Sequence, residues 1–255
     1  MIAPPAKIPG VKPVTVVDVG QQMSAGEMEA RVRKTQTDHG QLLQRYHELW
    51  YTCDHTWCYT FFLGVAMMKS PNDLWAYQDL IAHHRPKTII ETGTFAGGSA
   101  LWFAFLMDVL QIDGGRVFTI DFEDHRRCNH PRITFLAGDS TDPALRDAIA
   151  VEAKLDQHPE PLLISLDADH SADHVRKELE LYAPLAKVGD YLVVEDTNIS
   201  WNDERGAKGG VEDYVTAHPN EFRQDPLCER WLLTMHPGGW LQRMENCTHD
   251  ERARV

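Results

Sequence analysis

The five cysteines, Cys53, Cys58, Cys128, Cys228 and Cys247, contain no C-x-x-C pair. A scattered odd set gives neither zinc-ligand spacing nor a disulfide framework, and is expected of reduced thiols in a cytoplasmic protein. Basic charge is also scarce: 25 Lys and Arg face 38 Asp and Glu, a formal net charge of −13. That balance disfavours nucleic acid and anionic membranes as partners. No apolar run is long enough to cross a bilayer, and neither a signal peptide, an internal repeat nor a low-complexity tract is legible. What remains, 255 residues of which 43% are hydrophobic, suits one α/β domain with additions, or two small domains.

The most informative stretch runs from Thr88 to Ala100. Thr88-Ile89-Ile90 is a β-branched run that reads as a strand buried on both faces. Glu91 ends it, a turn with Gly93, Gly97 and Gly98 follows, and Leu101 to Leu110 reads as a helix. Strand, glycine turn and helix form the ligand-binding unit of open α/β sheets. The spacing is G-x-x-x-G-G, a poor match to the dinucleotide pattern G-x-G-x-x-G. An acid beside the first glycine argues against a pyrophosphate. It suits a cationic ligand group, such as the amino group of S-adenosylmethionine. A nicotinamide-dependent oxidoreductase is disfavoured on both counts.

Around this unit the chain alternates. Met1 to Val19 reads as an extended arm, and the capping box Ser24 to Glu27 opens a helix weakened at Gly40. Tyr51 to Phe62 is crowded with aromatics, including Trp57 and Tyr59, and suits either a core-edge plug or an acceptor pocket. Ser70-Pro71 starts another helix, which Arg85-Pro86 stops. Strands are expected at Arg116–Asp121, Ile133–Ser140, Pro161–Asp167 and Tyr191–Asp196, with helices at Pro143–Val151 and Ala172–Leu185. This predicts a parallel sheet with helices on both faces. Asn198 to Gly210, with Trp201, reads as a mobile loop, and Gly210 to Ala217 as a helix. Trp231–His236 and Trp240–Met244 flank Pro237-Gly238-Gly239, a hairpin signal. Asn246 to Val255 reads as a frayed polar tail.

Every parallel strand in this scheme finishes in acid: Glu91, Asp121, Asp139, Asp167 and the pair Glu195-Asp196. Parallel strands put these tips on one rim, where they repel one another unless cations or donors bind. Asp121 is placed to accept from ribose hydroxyls. Asp139 is placed either for an exocyclic amine such as adenine N6 or to cap a turn. Asp167, Glu195 and Asp196 make an oxygen-rich set that fits Mg²⁺, Mn²⁺ or Ca²⁺ better than Zn²⁺, provided the strand turns between Glu195 and Asp196. His170 could take a proton from an acceptor hydroxyl, with Asp169 as the competing base.

The chain resembles the class I S-adenosylmethionine-dependent methyltransferases, and within them the cephalosporin-hydroxylase-type family, which includes methyltransferases acting on antibiotic precursors and sugar hydroxyls. The resemblance is carried by Lys69-Ser70-Pro71, Tyr77-Gln78, Arg85-Pro86, Glu91-Thr92-Gly93 with Gly97-Gly98-Ser99, Asp167 to His170, Glu195 to Asn198, and Pro237 to Leu241. It implies a Rossmann-like seven-stranded sheet with an antiparallel last strand. It implies S-adenosylmethionine on Glu91, Gly93, Thr94, Phe95, Ser99, Asp121, Asp139, Ser140 and Asp167, and Mg²⁺ on Asp167, Glu195 and Asp196. The expected activity is O-methylation of a small hydroxylated acceptor, a sugar or natural product, by a cytoplasmic homo-oligomer. The acceptor side is assigned to Trp57, Tyr59, Asn198 and Trp201. Residues 1–55 form an added arm and helix, 56–245 the methyltransferase domain and 246–255 the tail. A cofactor-binding accessory subunit without transfer activity would carry the same residues.

Overall fold

The computed structural model describes residues 24–54, 56–155, 160–200 and 203–245. The expected N-terminal arm, Trp201 and the tail lie outside the described residues. Helix α1 (Ala25–Thr52) opens on the expected capping box, Ser24 accepting from the Glu27 N–H and Glu27 from the Ser24 N–H. Its break falls at His39, one residue before Gly40, with φ −125° and ψ 18°. A short 3-10 turn (Thr56–Tyr59) and the hairpin β1 (Phe61–Phe62) and β2 (Val65–Ala66) lead to α2 (Pro71–His84). Ser70 caps α2, Pro71 fills its first turn, and Arg85 leaves it in the left-handed region before Pro86.

The expected alternation follows: β3 (Thr88–Thr92), α3 (Gly98–Val109), β4 (Arg116–Asp121), β5 (Ile133–Ala137), α4 (Pro143–Glu152), β6 (Leu162–Leu166), α5 (Ala172–Tyr182), β7 (Tyr191–Val194) and α6 (Gly206–Ala217), the last starting inside the stretch expected as a loop rather than at Gly210. Two further strands, β8 (Phe222–Gln224) and β9 (Trp240–Arg243), complete a seven-stranded sheet of order β5-β4-β3-β6-β7-β9-β8. β3 to β7 are parallel, and β9 runs antiparallel to both its neighbours. All of β3 is buried because alternate side chains serve opposite faces. Ile89 joins Tyr77 and Phe103 on the α2–α3 side, and Ile90 joins Leu179 and Val211 on the α5–α6 side. Among the described residues no helix is long and apolar enough to cross a membrane.

The expected hairpin is corrected here. β9 pairs with β7 and β8, and Trp231–His236 is not a strand. Leu232 takes φ +69°, and both the Thr234 hydroxyl and the Met235 N–H donate to the buried Asp73 carboxylate, at 2.6 and 2.9 Å. A backbone whose donor is taken by a side chain has none left for a ladder. The real edge strand, Phe222-Arg223-Gln224, has only three residues and a single buried one.

Candidate active site

The carboxyl ends of the parallel strands open onto one cavity of about 400 Å³. Its floor is set by Gly93, which follows β3 at φ +83°. A Cβ there would lie 1.9 Å from the Asp167 carbonyl oxygen. The glycine is therefore demanded by the neighbouring strand end itself, whatever ligand lies above it. Gly98 seats the start of α3 in the same way: its Cβ would meet the Ala66 carbonyl oxygen at 2.3 Å.

Of the residues expected at the cofactor, Gly93, Thr94, Phe95, Ser99, Asp121, Ser140 and Asp167 line this cavity. Asp121 accepts from the Phe95 and Phe122 N–H groups, each at 2.8 Å, which ties the β4 tip to the glycine turn. The structure does not bring Glu91 or Asp139 to the cavity wall. Glu91 is fully buried behind it, accepts from the Thr119 hydroxyl at 2.6 Å, and keeps Oε1 without a hydrogen-bond partner. Burial pushes its pKa up to about 7, against the pull of Lys69 and of the Ser99 and Thr119 hydroxyls. Asp139 accepts from the hydroxyl and N–H of Thr141, at 2.7 and 2.8 Å. Those bonds hold its pKa low and give it the turn role, the second of the two the sequence left open. His174 was not foreseen. It lines the cavity 3.0 Å from the Ser140 hydroxyl and 3.6 Å from the buried Glu178 carboxylate one helical turn on.

The acids sort differently from expectation. Ligand atoms of Asp167, His170 and Asp196 all lie within 4.8 Å of one another, so His170 belongs to the acid cluster itself. Glu195, expected beside Asp167 and Asp196, lines the same cavity but stands outside that trio, its carboxylate turned to other partners. Its Oε1 accepts from Tyr77 at 2.8 Å and Ser165 at 2.5 Å, and its Oε2 from Lys69 at 2.6 Å. The chain does turn after β7, with Asp196 at φ +53°, a conformation a non-glycine residue holds only under constraint. The constraint includes the Asp196 N–H, which donates to His236 Nδ1 at 2.9 Å.

Charge in the cluster is shared among close neighbours. Burial opposes the Lys69 ammonium, yet Asp167, Glu195 and Glu91 outweigh it and raise its pKa. Burial likewise opposes the Asp167 carboxylate, but Lys69 and His170 hold its pKa well below the usual range. Asp196 has no lysine, and burial beside Asp167 lifts it to about 6. His170, 3.3 Å from Asp167 and 3.8 Å from Asp196, is raised to about 9, those carboxylates outweighing its burial. Asp169 also lines the cavity, but its carboxylate accepts from the Ser171 side chain and N–H, which lower its pKa.

On the acceptor side, Trp57 lines the cavity together with Trp50 and Tyr51 from the end of α1. Tyr59 does not; it is 71% exposed. Asn198 stands just outside, its Oδ1 3.4 Å from the Tyr51 hydroxyl and its Nδ2 3.2 Å from Met235 Sδ. Trp50, Ser165, His174 and His236 were missed, Tyr51 stood only as the first residue of the aromatic stretch, and Lys69 and Tyr77 stood in quoted motifs without a role. The only advance signal for these two was their place in the stretch leading into β3.

The acid-tipped strands opening on one cavity make a ligand-binding Rossmann-like sheet, and the family and relatives it matches make it that of an S-adenosylmethionine-dependent O-methyltransferase. A family model described as Rhamnosyl O-methyltransferase/CmcI matches residues 54–244. The rhamnosyl O-methyltransferase of Mycobacterium tuberculosis (strain ATCC 25618 / H37Rv) is 34% identical over 210 residues, covering 78% of this chain and 84% of that protein. Its counterpart from Mycobacterium leprae (strain TN) is 32% identical over 215 residues, covering 79% and 90%. An apo structure of CmcI superposes with a TM-score of 0.59 at 25% identity, over 74% of this chain and 77% of that one. A CmcI structure with Mg and SAM gives the same TM-score at 24% identity, over 74% and 78%. The chain belongs to the rhamnosyl O-methyltransferase/CmcI family.

Proposed function

We propose that this enzyme transfers a methyl group from S-adenosylmethionine to a hydroxyl of a sugar or sugar-bearing natural product, with a hard divalent ion, Mg²⁺, at the acid cluster. The cluster fits such an ion. Mg²⁺ takes one or two carboxylates and keeps several waters, and Asp167 and Asp196 offer two carboxylates beside the cavity. The sulfonium cofactor fits too: Glu91 Oε1, buried and without a hydrogen-bond partner behind Ser99, suits the amino group. The reading is supported by the names of the curated relatives and by the Mg and SAM bound to a structural neighbour.

When bound, the cofactor supplies the methyl group and the ion supplies positive charge that lowers the acceptor hydroxyl's pKa. The chain's own residues do the rest. Gly93, Ser99 and Asp121 hold the cofactor along the strand tips, with Ser140 at its far end. Asp167 and Asp196 hold the ion. The acceptor's proton would pass to His170 Nε2 in its neutral form, which an ion held by Asp167 and Asp196 would favour by offsetting the two carboxylates that otherwise keep the ring protonated. Asp169 is the weaker base, because hydrogen bonds from Ser171 lower its pKa. Holding donor and acceptor in line accounts for much of the rate. The same reading takes the enzyme as a cytoplasmic homo-oligomer, with residues 1–55 as an acceptor-side addition, 56–245 as the methyltransferase domain and 246–255 as a tail.

The single observation that carries this is the convergence of Asp167, His170 and Asp196 on the cavity that runs past Gly93. The test is Asp196→Ala, assayed for methyl transfer to methyl α-L-rhamnopyranoside with and without Mg²⁺, and for S-adenosylhomocysteine binding by calorimetry. The variant should lose the Mg²⁺-stimulated turnover and keep the cofactor. Undiminished wild-type turnover after chelation would count decisively against a role for the ion.

A further inference from the structure

Helix α1 has the look of a peripheral element. Val32 is the one buried residue along its 28 described residues, and the family match begins beyond it at residue 54. Its last turn nevertheless enters the site. Trp50 and Tyr51 line the cavity together with Trp57 of the following turn. The Tyr51 hydroxyl lies 3.3 Å from Asp196 Oδ1, while Asp196 Oδ2 faces His170 at 3.8 Å. Hydrogen bonds from Gln36 and His47 tie the helix to the segment before β9. The Gln36 amide donates to the Glu229 carboxylate, and the His47 ring meets the Thr234 carbonyl oxygen at 2.8 Å. That segment also supplies Met235 and His236 to the cavity, so the end of α1 is fixed relative to Asp196.

We propose that the end of α1 is the acceptor-selecting wall: Trp50 and Trp57 receive the C–H face of a neutral pyranose, and Tyr51 is a positioning residue for Asp196. The proposal rests on the methyl-transfer reading above. Aromatic faces are electron-rich and attract the positive edges of C–H groups, and a pyranose presents C–H bonds on its faces and hydroxyls around its rim. The Asp169 carboxylate, which lines the same cavity outside the ion's ligands, offers the complement as an acceptor for a rim hydroxyl. The rings are braced from behind: Trp57 against Tyr51, with centroids 6.2 Å apart and planes tilted 56°, and Trp50 against Tyr46 at 6.4 Å. Tyr51 acts through Asp196: by holding Oδ1 it leaves Oδ2 turned toward His170.

The experiment is calorimetry on the full chain loaded with S-adenosylhomocysteine and Mg²⁺, titrated with methyl α-L-rhamnopyranoside and, separately, with catechol. The variants are Trp50→Leu and Trp57→Leu, which keep apolar bulk but remove the ring face, and Tyr51→Phe, which removes only the hydroxyl. Binding of S-adenosylhomocysteine serves as the control for folding. Each leucine variant should weaken the rhamnoside by about tenfold and leave S-adenosylhomocysteine unchanged. Tyr51→Phe should leave the KM for the rhamnoside near wild type, lower kcat and weaken Mg²⁺ binding. Failure of the wild type to bind S-adenosylhomocysteine would remove the methyl-transfer reading itself. If the wild type binds it, the wall is overturned by any of three results: no rhamnoside binding, tighter binding of catechol, or unchanged rhamnoside affinity in both leucine variants. An unchanged kcat and Mg²⁺ affinity in Tyr51→Phe would overturn the positioning role.

Discussion

Lys69 Nζ lies 2.6 Å from Glu195 Oε2, and each of the two side chains is 2% exposed. Buried ion pairs persist only when their remaining hydrogen-bonding capacity is met. Here Tyr77 and Ser165 bond the other Glu195 oxygen, and Asp167 accepts from Lys69 at 2.7 Å. Replacing Lys69 by Met would leave the buried Glu195 Oε2 without its ammonium partner and Asp167 with His170 alone opposite it. The expected loss is about 3–5 kcal/mol of unfolding free energy, read by urea denaturation of the ligand-free chain. A loss below about 1 kcal/mol would show that the pair behaves as though it were on the surface.

Gly93 and Gly64 share a positive φ, +83° and +82°, but not their surroundings. A Cβ on Gly64 meets nothing within 4 Å, whereas on Gly93 it would strike the Asp167 carbonyl. Gly64→Ala should therefore lose only about 1 kcal/mol, the dihedral cost alone. Gly93→Ala carries the same cost and must also push β3 and β6 apart at their tips, moving Asp167. It should lose at least about 2 kcal/mol more, together with S-adenosylhomocysteine binding. Thermal melts and calorimetry on the two variants side by side check this, and equal losses would refute the close approach.

The sheet was legible because β3, β4, β6 and β7 are β-branched or leucine-rich runs of strand length, each bounded by turn residues and helical stretches. Parallel alternation then placed their acid tips on one rim without any knowledge of contacts. The pattern failed where a choice depended on a distant partner. Lys69 precedes a helix like any solvated lysine, and its carboxylates are 98 and 126 residues away in sequence. Tyr51 is 145 residues from Asp196. Asp139 is the opposite case, its turn bonds readable locally because Thr141, two residues on, offers it both a hydroxyl and an N–H. Trp231-Leu232-Leu233 has a strand's composition, yet Asp73 takes the donors that follow it, and Trp231 and Leu232 stay 41% and 39% exposed.

Glu91 gives the ligand-free chain a dependence on pH whose sign runs against the usual carboxylate. Its folded pKa is raised, mainly by burial, to about 7 from an ordinary value of 4.5. Between those values the folded chain holds a proton that the unfolded chain has released, so stability falls as pH rises through the window. The loss is complete above the folded pKa and is on the order of 3 kcal/mol. Glu91→Gln cannot titrate, so the gap between variant and wild type should shift in the variant's favour from about pH 5 to about pH 8. His170 and Asp196 titrate nearby in both proteins, which is why the difference, not either curve, is the readout. An ammonium group beside Glu91 Oε1 would favour the ionised form. S-adenosylhomocysteine should then stabilise the wild type more at the alkaline end than at the acid end, a trend the variant should lose. Parallel denaturation profiles for the two proteins, with and without the ligand, would remove Glu91 from the cofactor's amino end.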